Sequence, residues 1–210
     1  MNVNGKHDGK PLRVLGIGGS MRRASKSRVL LSHALQLAQN AGAETRLADV
    51  RALDLPLYND DRGPDVYQPP LSELLSAVRA ADAYILCSPT YHGTVSGAVK
   101  NALDSLNVLY DDKPRYFGGK PVALMALGNG GGANVLTSLQ HAVHGLNGVA
   151  IPTTVIADAS AIASDAIVDE RLLARMRGMS DELLELAARL RRTDLAMAMP
   201  RWNHMESGDA

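Results

Sequence analysis

The sequence predicts an α/β fold in which a doubly wound parallel sheet of five strands is covered by helices on both faces. Short aliphatic segments recur along the chain, and a stretch with apolar residues at helical spacing follows each of them. The length of 210 residues suits one large domain. One Phe, one Trp and six Tyr leave a core that must be mainly aliphatic.

The first elements have clear boundaries. Residues 12–18 are aliphatic and end at glycines, as a buried strand does before a tight turn. Residues 25–40 carry apolar side chains three and four positions apart, and Gly42 is a typical signal for the end of a helix. Residues 44–50 predict the second strand, and the turn-rich segment 55–64 predicts a surface connection.

The remaining elements continue the alternation of helix and strand. In chain order they are helix 70–80, strand 83–88, helix 96–107, strand 121–126, helix 133–146, strand 150–157 and helix 165–192. The strands are near-continuous apolar runs, which is typical of parallel strands buried on both faces. The last helix carries Leu and Met on one stripe, which we interpret as a subunit interface; its members are Leu172, Met176, Met179, Leu183, Leu186 and Leu190.

Composition excludes several classes of protein. The 22 Lys and Arg are balanced by 22 Asp and Glu, so we expect no binding to nucleic acid and none to a membrane surface. No apolar run approaches the ~20 residues that a membrane helix needs. Cys87 is the only cysteine, which excludes an internal disulfide and a cysteine-cluster metal site. We therefore expect a cytoplasmic protein with no bound metal.

The domain organisation is simple. We expect a flexible N-terminal tail over residues 1–11, one domain over 12–193, and a C-terminal tail or interface arm over 194–210.

The loop after the first strand is rich in groups that bind phosphate. These groups are the side chains of Ser20, Arg22, Ser25 and Ser27. They precede or begin a helix, whose first N–H groups also attract anions, so the loop predicts an anion site. The alternative is that Ser25 or Ser27 only caps the helix and that the arginines are solvated.

Spacing excludes three other motifs in this loop. No Gly-Lys-Ser/Thr sequence of a Walker loop occurs. Met21 stands where a dinucleotide fingerprint needs glycine, and Arg22 stands where a nucleophile elbow needs glycine.

The loops after the third and fourth strands are suited to a flat ring. The first of them combines a stiff proline with an aromatic side chain, in the sequence Pro89, Thr90, Tyr91, His92 and Gly93. The second lets a planar ligand approach the backbone closely, in the sequence Gly128, Asn129, Gly130 and Gly131. Ordinary surface residues and a flexible turn are the alternatives. Because parallel strands end at one edge of the sheet, the three loops together predict a site for a phosphorylated ring system.

Taken together, these motifs resemble the NAD(P)H-dependent FMN reductase family of the flavodoxin-like superfamily. The matching segments are Gly19-Ser20-x-Arg22-x-x-Ser25-x-Ser27, Leu55-Pro-Leu-Tyr58, Ser88-Pro-Thr-Tyr-His92, Ser96–Asp104 and the glycine loop 128–132. The resemblance extends from about residue 12 to residue 190. It implies a flavodoxin-like three-layer sandwich with strand order 2-1-3-4-5.

The resemblance also implies roles for the three loops. Ser20, Arg22, Ser25 and Ser27 would hold the FMN phosphate, while segments 89–93 and 128–131 would hold the isoalloxazine ring. The chain would be an enzyme that transfers a hydride from NADPH or NADH to FMN and on to free flavin or a small acceptor. No protein acid or base is required, so no catalytic residue is named.

The family further implies a homodimer or homotetramer, and a flavin-dependent monooxygenase is a candidate partner. One alternative is a quinone or azo reductase with tightly bound FMN. Another is a flavodoxin-type electron carrier, which the formal net charge of zero disfavours because such carriers are usually acidic. A third is a binding protein of this fold that holds no flavin.

Overall fold

The structure is a computed structural model that describes residues 10–128 and 130–192. Its strands are β1 Arg13–Gly18, β2 Glu44–Asp49, β3 Ala83–Tyr91, β4 Thr94–Val95, β5 Pro121–Leu127, β6 Val149–Ala150, β7 Val155–Ala157, β8 Ile162–Ala163 and β9 Ala166–Ile167. Its α-helices are α1 Lys26–Asn40, α2 Val50–Leu53, α3 Pro70–Ala80, α4 Gly97–Asp104, α5 Gly132–Gly145 and α6 Glu170–Arg192. Short 3-10 helices cover Pro64–Tyr67, Ser105–Leu109 and Ala159–Ala161.

The central sheet is parallel and its chain order reverses at β1. Strand β1 lies between β2 and β3, so that Gly18 is paired with Asp49 on one side and with Cys87 on the other. Strand β5 pairs with β3, and both β6 and β7 pair with the far side of β5. The predicted strand 4 corresponds to β5, and the predicted strand 5 corresponds to β6 and β7 together. With this correspondence, the predicted doubly wound order 2-1-3-4-5 is confirmed.

Two apolar clusters make the sheet the middle layer of a three-layer sandwich. Leu15 and Ile17 of β1 belong to the cluster that contains α3, α4 and α5. Val14, one position away, belongs to the cluster that contains α1 and α6. This alternation is the two-residue period of a strand buried on both faces.

The fifth strand differs from its prediction because Pro152 interrupts it. Residues 151–154 lie between β6 and β7, and two side chains of α6 bind the backbone there. Glu182 accepts a hydrogen bond from the backbone N–H of Thr153 at 3.1 Å, and Arg175 donates one to the carbonyl oxygen of Thr154 at 2.5 Å. Helix side chains therefore bind backbone groups that a continuous ladder would have paired.

The last helix begins five residues later than predicted. A hairpin of β8 and β9 takes up residues 162–167, and Ser164 at its tip has a φ of 54°. Asp169 then caps α6 by accepting hydrogen bonds from the backbone N–H groups of Arg171 at 2.8 Å and Leu172 at 3.0 Å. The cap fixes the start of the helix.

The Leu and Met stripe of α6 lies inside the protein. Leu172, Met176, Met179 and Leu183 are buried in the cluster shared with α1 and the sheet, and Leu186 is partly buried against it. The interpretation of this stripe as a subunit interface is therefore wrong, because the chain's own core covers it.

No helix among residues 10–128 and 130–192 is both long enough and apolar enough to cross a lipid bilayer. In the same part of the chain, no group of three or more His, Cys, Asp or Glu is placed to hold a metal ion. The predicted tails fall largely outside the described residues, at 1–9 and 193–210.

Candidate cofactor site

The three predicted loops meet at the carboxyl edge of the sheet. The first loop is held to β3, the strand that leads into the second loop, by a hydrogen bond of 3.2 Å from the backbone N–H of Gly19 to the carbonyl oxygen of Cys87. The second and third loops pack so closely that a Cβ built on Gly131 would lie 3.2 Å from the Cα of Gly93. The predicted convergence of the three strand ends is thus present in the fold.

Buried serines line the first loop. Ser20, Ser25 and Ser27 are each at most 3% exposed. Ser20 donates a hydrogen bond to Ser25 at 2.8 Å, and the oxygens of Ser25 and Ser27 are 3.1 Å apart. Ser25 also caps α1, because its oxygen accepts the backbone N–H of Arg28 at 3.2 Å.

The direction of these hydrogen bonds follows from the capacity of a hydroxyl. Ser25 accepts from Ser20 and from Arg28, which uses both lone pairs, so its own hydrogen goes to Ser27. The hydrogen of Ser27 then has no acceptor among the described residues. An anion placed here would supply that acceptor, so the capping alternative accounts for Ser25 alone.

Arg22 is exposed and makes no hydrogen bond or ion pair with any described residue. Arg28, one turn into the helix, is instead 3.9 Å from the carboxylate of Asp49. Arg22 and its neighbour Arg23, which is likewise exposed and has no partner among the described residues, are thus the guanidinium groups of this loop that remain available to an anion.

Gly18 allows the loop to turn directly over β3. A Cβ on Gly18 would lie 2.1 Å from the carbonyl oxygen of Cys87, a distance that no side chain tolerates. Gly19 has a φ of 100°, and a Cβ there would lie 2.8 Å from Asp49. Asp49 was not singled out from the sequence; its signal is an acidic residue at the end of the second strand, opposite Gly18.

The second loop is the turn of a two-stranded hairpin. Strand β3 continues to Tyr91, three residues beyond its predicted end, and pairs with β4. His92 and Gly93 form the turn with φ values of 50° and 80°, the left-handed pair that a tight hairpin favours. Thr94 is held 3.0 Å from Ser138 on α5. Tyr91 is 43% exposed, so its ring is available as a wall of the site.

Pro89 lies on β3 behind this turn, and the serine before it fixes the backbone. Ser88 donates to the carbonyl oxygen of Pro89 at 2.8 Å and accepts from the backbone N–H of Ser96 at 2.9 Å. Ser96 in turn caps α4, accepting the backbone N–H of Val99 at 3.3 Å.

The third loop leads into α5. Gly131 has a φ of 70° and provides no side-chain cap, so the first N–H groups of α5 have no side-chain acceptor at that position. A Cβ on Gly130 would meet nothing within 4 Å, which leaves room for a ligand beside the backbone. Asn129, predicted as part of this loop, lies outside the described residues.

The one thiol beside the site is a structural residue and not a nucleophile. Burial raises the pKa of the Cys87 thiol to about 12, so this residue is no nucleophile at neutral pH. Its Sγ donates to the carbonyl oxygen of Ser27 at 3.4 Å, as expected for a small core residue beneath the loop.

The segment around Tyr58 is held to α4 by Asn101. The side chain of Asn101 accepts the backbone N–H of Tyr58 at 2.8 Å and donates to the carbonyl oxygens of Leu55 and Pro56. Desolvation and a hydrogen bond of 2.6 Å to Asp60 raise the pKa of the Tyr58 hydroxyl. Asn101 therefore has a structural role: it holds the segment around Tyr58 against α4.

These residues fit FMN. The serine hydrogen without an acceptor and the unpaired guanidinium suit a phosphate monoester. The unfilled space at Gly130 and the exposed ring of Tyr91 suit a planar heterocycle.

The fold and the site together define a mononucleotide-binding α/β protein of the flavodoxin-like type. Solved structures support the fold. FerB, a flavoenzyme NAD(P)H:(acceptor) oxidoreductase from Paracoccus denitrificans, superposes with a TM-score of 0.67 at 24% identity, covering 85% of this chain and 98% of FerB. A flavodoxin, WrbA-like protein from Agrobacterium tumefaciens has a TM-score of 0.59 at 16% identity, covering 86% and 99% of the two chains.

Residues 12–161 match the model of the family described as NADPH-dependent FMN reductase, and the chain belongs to that family. The predicted enzyme class and the predicted cofactors, FMN and NADPH, are thereby confirmed. An NADPH azoreductase from Bacillus sp. is 34% identical over 149 residues, which are 70% of this chain and 77% of that protein. An NAD(P)H-dependent FMN reductase from Pseudomonas aeruginosa is 33% identical over 121 residues, or 57% and 61% of the two chains.

Proposed function

We propose that this reductase passes electrons from NADPH or NADH through FMN to a small aromatic acceptor, either free flavin or a compound of the quinone or azo class. One observation carries the proposal: three strand-end loops converge on one edge, with serine and arginine side chains in the first loop and open glycine backbone in the third. FMN supplies the redox chemistry when bound. The chain's own residues would bind FMN and orient its ring.

Ser20, Ser25 and Ser27 would hold the phosphate with the help of Arg22, and segments 89–93 and 128–131 would hold the ring. Tyr91 stands exposed at the rim, and the space beside Gly130 is open, so a visiting ring can approach from the solvent. No acid or base of the protein is needed for such an exchange. Relatives named as an azoreductase and as a probable NADPH:quinone oxidoreductase, the latter from Oryza sativa, support the class of acceptor.

The phosphate assignment is tested by comparing FMN with riboflavin, which lacks the phosphate. In the variants Ser20→Ala and Arg22→Gln we expect the affinity for FMN to fall about tenfold or more, because each loses a hydrogen bond to a charged group. The affinity for riboflavin should stay unchanged. Flavin fluorescence titration measures both. Equal losses for the two flavins would instead indicate a damaged loop, and unchanged FMN affinity would overturn the assignment.

The acceptor is tested with the wild-type protein. Steady-state oxidation of NADPH and of NADH with FMN, a quinone and an azo dye ranks the acceptors and the reductants. Bound flavin that neither NADPH nor NADH reduces would favour a flavodoxin-type electron carrier. NADPH oxidation that requires an added oxygenase would support a role in supplying reduced flavin to a monooxygenase.

A further inference from the structure

A groove of about 350 Å³ lies between the end of β7 and the start of α6. Ile156 and Val168 line it with side chains that are 46% and 59% exposed, and the largely buried Leu172 lines it as well. A single exposed apolar side chain is ordinary on a protein surface, whereas two that face one groove form an apolar patch. The groove is therefore a candidate docking surface.

The groove is acidic as well as apolar. The charged side chains among the described residues that line it are Asp158 and Asp169. Hydrogen bonds of 2.7 Å from the backbone N–H and from the hydroxyl of Ser160 lower the pKa of Asp158, so its carboxylate is ionised at neutral pH. Lys26 lies beside the groove, where it donates to the carbonyl oxygen of Ala159 at 2.6 Å. An occupant that complements this lining combines a large apolar side chain with positive charge.

The chain itself contains a segment of this kind. Trp202 is the only tryptophan of the protein, Arg201 precedes it directly, and His204 follows two residues later. Tryptophan has a large apolar surface, which is stabilising when it is buried. The segment belongs to residues 193–210, which lie outside the described part of the chain.

The segment is long enough to reach the groove. The described chain ends with α6 at Arg192, and Leu172 in the groove lies 20 residues before that end. At the helical rise this distance is about 30 Å. Trp202 follows Arg192 by ten residues, which span up to about 33–36 Å when the chain is extended. A return along α6 therefore brings the tryptophan back to the groove of its own chain.

We propose that the C-terminal segment docks into the groove of its own chain, with Trp202 against Ile156 and Val168 and with Arg201 beside the carboxylates. A segment on the same chain has a high effective concentration, which favours it over a separate partner. A Cβ on Gly132, where α5 begins, would lie 2.6 Å from Cγ2 of Ile156. The docked segment would thus also cover the protein surface beside the third loop.

The fluorescence of the single tryptophan reports the docking in the flavin-free full-length protein. Emission of the wild type should lie to the blue of that of the urea-unfolded protein, because a docked indole is shielded from water. Val168→Asp places a charge in the apolar groove, so it should shift the emission to the red and increase quenching by acrylamide. Val149→Asp, at a residue of β6 that is 38% exposed, is the matched control and should change neither quantity.

A pair of introduced cysteines tests the location of the segment. Val168→Cys combined with Trp202→Cys should form a disulfide under mild oxidation, and the product should run as a monomer on a non-reducing denaturing gel. Val149→Cys combined with Trp202→Cys is the control and should form none. The natural Cys87 is buried and should take no part.

Wild-type emission that equals that of the unfolded protein, or that Val168→Asp leaves unchanged, would overturn the inference. Failure of the Val168→Cys and Trp202→Cys pair to oxidise would also overturn it. A disulfide-linked dimer would show that the segment of a second copy fills the groove, which contradicts docking within one chain. Neither experiment uses flavin, so a failure of the proposed FMN site would be seen separately, in the flavin titrations.

Discussion

Individual residues of the proposed site differ sharply in burial and in hydrogen bonding. The serines of the first loop are buried in a chain of hydroxyls, and Cys87 closes the core directly beneath them. The single thiol of the protein lies directly beneath Ser27, at the proposed phosphate site, and is fully buried. Its properties can therefore be predicted from burial alone.

Cys87 should be inert in the folded protein. Burial raises the pKa of its thiol from 9.0 to about 12, so almost none of it is thiolate at pH 8. We expect no reaction with a thiol reagent at pH 8 until the protein is unfolded, when one thiol per chain should react.

The same shift contributes to the pH dependence of stability at alkaline pH. The unfolded thiol deprotonates at lower pH than the folded one, so this contribution is complete below about pH 9 and is lost as the pH rises towards 12. Urea unfolding between pH 7 and pH 10.5 should show the decline, and Cys87→Ser, which does not titrate there, should show a shallower one. Rapid labelling of the native thiol at pH 8 would contradict both expectations.

The effect of replacing a glycine by alanine depends on the element in which the glycine lies. Helix α6 spans Glu170–Arg192 and contains Gly178 in its interior. A Cβ at Gly178 would meet nothing within 4 Å, whereas one at Gly18 in the first loop would collide with the backbone of β3. Alanine at these two glycines should thus have opposite effects.

Gly178→Ala should raise the free energy of unfolding by about 0.5–1 kcal/mol, because alanine loses less conformational freedom in a helix. Chemical denaturation measures this change. Gly18→Ala is the contrasting variant and should lose at least about 2 kcal/mol. A destabilised Gly178→Ala would mean that α6 is not a regular helix at this point.

The elements also show what sequence patterns can and cannot predict. Helix α3 begins at Pro70 and ends at Ala80 as predicted, because a proline at its start and the apolar spacing are local signals. The interruption of the fifth strand has a local signal, Pro152, but the side chains that bind the interrupted segment, Glu182 and Arg175, come from α6, which is distant in sequence, and no local pattern reveals them. The hairpin before α6 has strands of two residues, too short for an alternating pattern.

The site follows the same rule. The residues of all three loops can be selected from the sequence because glycine marks a tight turn, serine marks the start of a helix and proline stiffens the backbone. That Ser27 has a hydrogen without an acceptor, and that Thr90 has an unpaired hydroxyl, depends on which strands become neighbours. The partners of a side chain are a property of the folded protein.

At the scale of the whole molecule, the interface expected for a dimer must lie elsewhere than on the buried stripe of α6. Large exposed apolar side chains occur at Leu57, which is 80% exposed, and Tyr110, which is 51% exposed. Their segments are joined, because Asn107 donates a hydrogen bond to the hydroxyl of Tyr58 at 3.2 Å. Exposed apolar side chains on neighbouring segments are candidates for a protein interface.

We therefore expect a dimer formed through this face. Light scattering of the wild type should give twice the chain mass of 22.3 kDa, and Leu57→Asp should shift the protein towards the monomer. Val168→Asp, at an exposed apolar residue just before α6, is the matched control and should leave the mass unchanged. A monomeric wild type at micromolar concentration would refute the expectation.

The hydrogen bonds of Arg191 join the two ends of the described chain. Arg191 donates to the backbone carbonyl oxygens of Lys10 and Pro11, and it lies 3.6 Å from Asp82 just before β3. All of these atoms are at the amino edge of the sheet, while the cofactor loops are at the carboxyl edge. A linker attached to the protein beside Pro11 or Arg191 would thus leave the carboxyl edge, where FMN is proposed to bind, facing the solution.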